Sequence, residues 1–124
     1  MSFSKNAGNL LIATGILHNV VGFIMGWSVL TDIVRSGFIN SINSDMDRNA
    51  IFWFLFAGFM LIMFGKLIQH YLEAGWPLPK WVGLSLLAMA VIGCVMMPIS
   101  GFWLVLPQAA LILSSSSKRR THLS

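Results

Sequence analysis

Two polar side chains stand in the middle of an apolar run. The stretch GILHNVVG places His18 and Asn19 between Gly15 and Gly22, and no full charge occurs from Leu10 to Leu30. An imidazole can both donate and accept hydrogen bonds, and so can a carboxamide. A third such group, Gln108, follows Pro107 in SGFWLVLPQAALIL. The proline removes a backbone N–H and leaves a carbonyl free one turn earlier, about Trp103. Unsatisfied polar groups are costly in hydrocarbon, so His18, Asn19 and Gln108 are expected to face inward at a shared depth. As interhelical ties, they would contribute roughly 0.6–2 kcal/mol per hydrogen bond. Alternatively, they line a pocket for the polar head of a lipophilic molecule such as a quinone or an isoprenoid. The opposing class is a small membrane enzyme or redox accessory subunit that uses His18 as its acid–base group.

Other chemistry finds little support in the residues. Cys94 is the one cysteine, so no disulfide forms within the chain and no CxxC is present. A haem held between two histidines is poorly served: His70 lies roughly 10–15 Å from His18 along the membrane normal by helix rise, and His122 is in the tail. No cluster of His, Asp, Glu or Cys has ligand spacing, so neither a metal nor another cofactor is expected. No acidic residue falls within an apolar span, which disfavours a proton-coupled exporter, and a polar pore lining is missing. There is no GxSxG, P-loop or paired intramembrane carboxylate. No catalytic residue is assigned, and a non-catalytic role is expected.

The elements that must position these groups follow from composition. The 124 residues are 56% hydrophobic and 10% charged, far from the balance of a soluble domain. A helical span needs ~20 mostly apolar residues. The spans read as about 7–30, 50–71, 81–97 and 101–116, the last two divided by PISG at Pro98 to Gly101. The expected fold is all-α, one integral membrane domain, a four-helix antiparallel bundle in the lipid bilayer. With both termini cytoplasmic, Lys5, Lys66, Lys80, Lys118, Arg119 and Arg120 fall inside. Only Arg35 and Arg48 fall outside, in accord with the positive-inside rule for a multi-pass inner (plasma) membrane protein. Trp27, Trp53 and Trp103 mark the outer ends of helices, while Tyr71, Trp76 and Trp81 mark the inner ends. Lys66, His70 and Glu73 read as an interfacial anchor.

In the outer loop 31–49, Ile33, Val34, Phe38 and Ile42 continue from Leu30 at helical spacing, so part of it is expected to form an amphipathic surface helix. SDMDRN offers N-cap residues for the second span. The basic tail, 117–124, suits an anionic membrane face rather than nucleic acid.

Close helix approach in lipid depends on small residues. Gly8, Gly15 and Gly22 recur every seven residues, and Gly22 and Gly26 form GxxxG. Asn19 shares their stripe, with His18 on its edge. Gly58 and Gly65, followed by Gln69, repeat the device on the second span, and Gly83, Ala90 and Gly93 on the third. The stripes predict tight packing within the chain, and they equally suit a homo-oligomer or a membrane protein partner.

GILHNVVG, FWFLFAGFMLIMFG and SGFWLVLPQAALIL together resemble a group of small, uncharacterised four-span bacterial membrane proteins. More distantly, AGFMLIMFG with this size and span count is similar to the DoxX-like group. Some members of that group are linked to quinone-dependent sulfur oxidation or membrane redox complexes, so the resemblance implies a quinone-like ligand for the pocket.

Overall fold

The computed structural model describes residues 3–123, with side chains over 5–116, as helices without strands. The basic tail expected at 117–124 therefore lies outside the described side chains. A 3-10 turn, Phe3–Asn6, leads into α1 (Ala7–Met25). The first apolar run bends at Gly26 rather than continuing to Leu30. There the Ile51 side chain fills the space a Cβ would need, and α2 (Trp27–Arg35) follows. This surface helix starts and stops earlier than the expected amphipathic stretch, leaving Phe38 and Ile42 in the following loop. It is ended by a Schellman motif: Gly37 turns left-handed at φ 93, and the Phe38 and Gly37 N–H groups donate to the Ile33 and Val34 carbonyls.

Asp45 caps α3 (Met46–Glu73) by accepting from the Arg48 N–H at 3.1 Å. The same motif that ends α2 ends α3, with Gly75 at φ 74 and the Trp76 N–H donating to the Tyr71 carbonyl. Pro79 precedes α4 (Lys80–Met96), and the turn at 97–101 returns the chain into α5 (Phe102–Leu123). Ser100 organises that turn, donating to the Met97 carbonyl at 2.7 Å and accepting from the Phe102 N–H.

α1 and α3 pack antiparallel along their length. Gly8 abuts Gly65 and Gln69, Gly15 abuts Gly58 and Ile62, and Gly22 abuts Phe54 and Leu55. α4 and α5 form a second antiparallel hairpin, with Gly83 against Leu113 and Gly93 against the Phe102 ring. α5 joins the hairpins by packing on α1, whereas α3 and α4 do not approach each other. Close backbone contacts thus run in the order α3–α1–α5–α4, and all four helices contribute side chains to one core.

The core sits at the end that carries the N-terminus. Ala7, Leu11, Ile68, Leu72, Leu78 and Ile112 form it, backed by Val82 and Leu86. α1 and α3 are each long and apolar enough to cross a membrane by length and composition, while Lys80–Met96 and Phe102–Ser116 are shorter apolar helices. Only 28% and 17% of the most apolar windows of α1 and α3 are buried, so most of their apolar residues face outward.

Candidate functional site

His18 continues a stripe on α1 made by Ala7, Leu11 and Thr14, one to three turns below it. Ala7 and Leu11 are fully buried in the core shared with Ile112 of α5. His18 itself is half-buried. Its Nε2 lies 2.8 Å from the Phe54 carbonyl, and its ring stacks on the Phe54 ring at 3.9 Å and 13°. A carbonyl only accepts, so Nε2 must be the donating nitrogen. The other ring nitrogen, Nδ1, has no partner among the described residues and is not enclosed.

Asn19 is buried in the α1–α3 seam, with Oδ1 enclosed, unpartnered and pressed toward Gly58. Any Cβ at Gly58 would run into the Asn19 carboxamide and the edge of the His18 ring. The two neighbours therefore grip that glycine, which is why the α3 backbone can approach so closely.

Gln108 is on the other side of α1. Its Nε2 donates to Thr14 Oγ1 at 2.5 Å, and the Thr14 hydroxyl donates to the Leu10 carbonyl at 3.0 Å. Since the single hydroxyl proton of Thr14 is committed, its oxygen can only accept, which fixes the Gln108 amide with nitrogen toward Thr14. Gln108 Oε1 is left enclosed without a donor.

Asn19 and Gln108 therefore do not share the single patch expected from their depth, while His18 lies one turn from Thr14 and bonds α3. Thr14 and Asn19 are five residues apart, about 140° around a helix at 3.6 residues per turn, and so serve different seams. Thr14 is the partner that the apolar reading of α1 passed over; its hydroxyl, bonded to its own turn, resembles an ordinary helix residue until α5 arrives.

Two further polar ties hold the ends. Gln69 is buried at 7% exposure; it donates to the Lys5 carbonyl and to Glu73 Oε1 and accepts from the Asn9 N–H at 3.1 Å. At the opposite end, Arg48 reaches Asp32 Oδ2 at 2.5 Å, Ser36 Oγ at 2.9 Å and the Ser41 carbonyl. An open depression of about 420 Å³ beside it is lined by Ser28, Asp32, Arg35, Asp47 and Arg48 among others. The charge pattern around SDMDRN carried the signal for Arg48, and the position of Gln69 after Gly65 carried that for the inner tie.

The expected packing glycines, Gly8, Gly15, Gly22, Gly26, Gly58 and Gly65, are all covered by atoms of the same chain. Beyond Thr14 and Gln108, going outward, the same helix faces are open. Val21 is 38% exposed, Met25 78% and Leu104 47%. α1 and α5 thus present exposed apolar surface toward this end, beginning about one turn beyond His18 on α1. Among the described residues no three His, Cys, Asp or Glu side chains come together to hold a metal.

The family model described as a family of unknown function (DUF6463) matches residues 2–119, and the chain belongs to that family. Neither a curated protein nor a solved structure matches it.

Proposed function

We propose that this member of the DUF6463 family is a four-span protein of the inner membrane. In this reading it binds a lipophilic molecule, without catalysis, on the apolar surface beside His18. The observation that carries the reading is His18, a half-buried imidazole at the middle of an apolar helix, with one nitrogen unpartnered among the described residues beside exposed apolar surface. In hydrocarbon such an atom draws a polar partner. The membrane setting is supported by the outward apolar surfaces of α1 and α3, which a soluble core helix would bury. Both termini lie cytoplasmic in this reading, with Lys5 and Lys80 near the inner face and the Asp32–Arg48 tie outside. The imidazole is held by the Phe54 carbonyl and ring, which suits a fixed binding group better than a proton shuttle. The likeness to DoxX-like proteins is one of layout and adds quinone-type ligands by analogy alone.

The test is extraction in a mild detergent, followed by mass spectrometry of co-purifying lipophilic compounds. A stoichiometric compound is expected with the native chain and is expected to be lost in His18→Phe. Bulk phospholipid alone in both forms overturns the binding role. A reporter fused after Ser124 is expected on the cytoplasmic side.

A further inference from the structure

We infer that the depression beside Arg48, between α2 and the start of α3, holds a zwitterionic phospholipid headgroup that carries a primary ammonium and a phosphate. The inference rests on the proposed membrane setting and is independent of any ligand at His18. The charges lining the depression carry it. Three carboxylates and two guanidinium groups meet there, those of Asp32, Asp45, Asp47, Arg35 and Arg48. Arg48 is spent inside the protein, on Asp32 at 2.5 Å, on Asp45 at 3.6 Å and on Ser36 and the Ser41 carbonyl. That leaves one charge of each sign. Among the described residues neither Asp47 nor Arg35 has an ion-pair partner, and both are exposed.

A ligand with a single charge would satisfy one of these groups and be repelled by the other. A zwitterion meets both. Hydrogen bonding narrows the cationic part. A carboxylate only accepts, so the group it holds best brings N–H donors; a primary ammonium has three and a trimethylammonium has none. On the anionic side, a guanidinium grips a phosphate through two parallel N–H bonds. The shape of the site points to a lipid rather than a dissolved zwitterion. An open depression of about 420 Å³ encloses little of a small molecule, and exposed charges gain little from a freely dissolved one. A lipid headgroup is instead kept at high local concentration by its own acyl chains, so two modest contacts suffice. Trp27 and Met46, each next in sequence to a lining residue, are 64% and 78% exposed and offer apolar surface to those chains.

The experiment uses the full chain in detergent micelles, with dioleoyl phosphatidylethanolamine and dioleoyl phosphatidylcholine added at equal concentration. Native mass spectrometry counts the lipid retained. Phosphatidylethanolamine is expected to be retained about fivefold more strongly, the margin of one charge-assisted hydrogen bond. Two variants at exposed, unpaired side chains then separate the two ends of the head. Asp47→Ala is expected to bring the lipids to near-equal retention, whereas Arg35→Gln is expected to weaken both alike and keep their ratio. Equal retention by the native chain, or a preference that survives Asp47→Ala, overturns the headgroup assignment while leaving the membrane reading intact. Displacement of the lipid by dissolved glycerophosphoethanolamine at the lipid's own concentration overturns the lipid source in favour of a free zwitterion. A chain that stays in solution without detergent overturns the membrane reading itself.

Discussion

The two hairpins are built from the same kind of sequence yet are held in different ways. In α1–α3, glycine faces backbone: a Cβ on Gly65 would sit 2.8 Å from both the Gly8 carbonyl oxygen and the Ile12 nitrogen. In α4–α5, the outer glycine, Gly93, instead faces the Phe102 ring. The first hairpin also has polar ties at its two ends and its middle, through Gln69, Arg48 and His18. The second has mostly serine hydroxyls bonded to their own helix, such as Ser115 to Leu111 and Ser116 to Ile112. Backbone cannot yield to a new methyl group, whereas a ring can turn aside. The first hairpin is therefore locked by backbone over Gly8, Gly15 and Gly65, whereas in the second only Gly83, against the Leu113 backbone, is held that way and the outer end at Gly93 can yield.

The sharpest way to break this contrast is Gly65→Ala. With backbone on both sides of the new methyl, α1 and α3 must separate, and a loss of about 3 kcal/mol is expected. Unfolding titration in mixed micelles measures it; a loss below about 1 kcal/mol would remove the claim of a rigid seam. Next comes Arg48→Ala, which releases α2 and the loop from the start of α3. Because Asp32 is largely exposed, the expected cost is only about 1–2 kcal/mol. Amide exchange across residues 27–45 should accelerate while that of 58–69 stays slow. Acceleration spread equally over both would show that the outer tie holds the whole seam.

Gly93→Ala tests the other hairpin. The Phe102 ring can swing away, so about 1 kcal/mol is expected, and a Phe102→Leu change on the same chain should recover part of it. A cost matching that of Gly65→Ala would erase the difference between the halves. The smallest effect, and opposite in sign, belongs to Phe38→Gly. Phe38 has φ 66, a left-handed conformation that an L side chain adopts at a cost of about 1–2 kcal/mol. Glycine relieves that cost but loosens the unfolded chain, leaving a net gain of about 0.5 kcal/mol in the same titration.

Much of the first hairpin was legible in the sequence. A seven-residue glycine interval has few uses other than a seam, and along it Gly8 meets Gly65, Gly15 meets Gly58 and Gly22 meets Phe54 and Leu55. The PISG turn and the Asp45 cap were equally plain, because proline, glycine and short polar side chains act locally. The site was only partly legible. The depth of His18, Asn19 and Gln108 could be counted along each helix, but the seam each one serves depends on which neighbour occupies which side of α1. The partner of His18 is a backbone carbonyl, and backbone leaves no mark in residue identity. Nor could periodicity show that α3 and α4 stay apart, since an apolar helix in lipid carries the same pattern whether a helix or an acyl chain lies against it.

The placement of the Gln108–Thr14 bond has a consequence for how the chain is assembled. It links residues 94 positions apart, while the whole α1–α3 seam is complete within the first 73. A chain emerging from the ribosome can therefore finish its first hairpin early. It then carries that hairpin beside an unfinished surface until α5 arrives. For the interval in which α4 and α5 are still being made, the α5-facing side of α1 around Thr14 and Leu11 has no covering helix. The Gln108–Thr14 contact is thus a late-forming latch that registers the second hairpin on a first hairpin already in place.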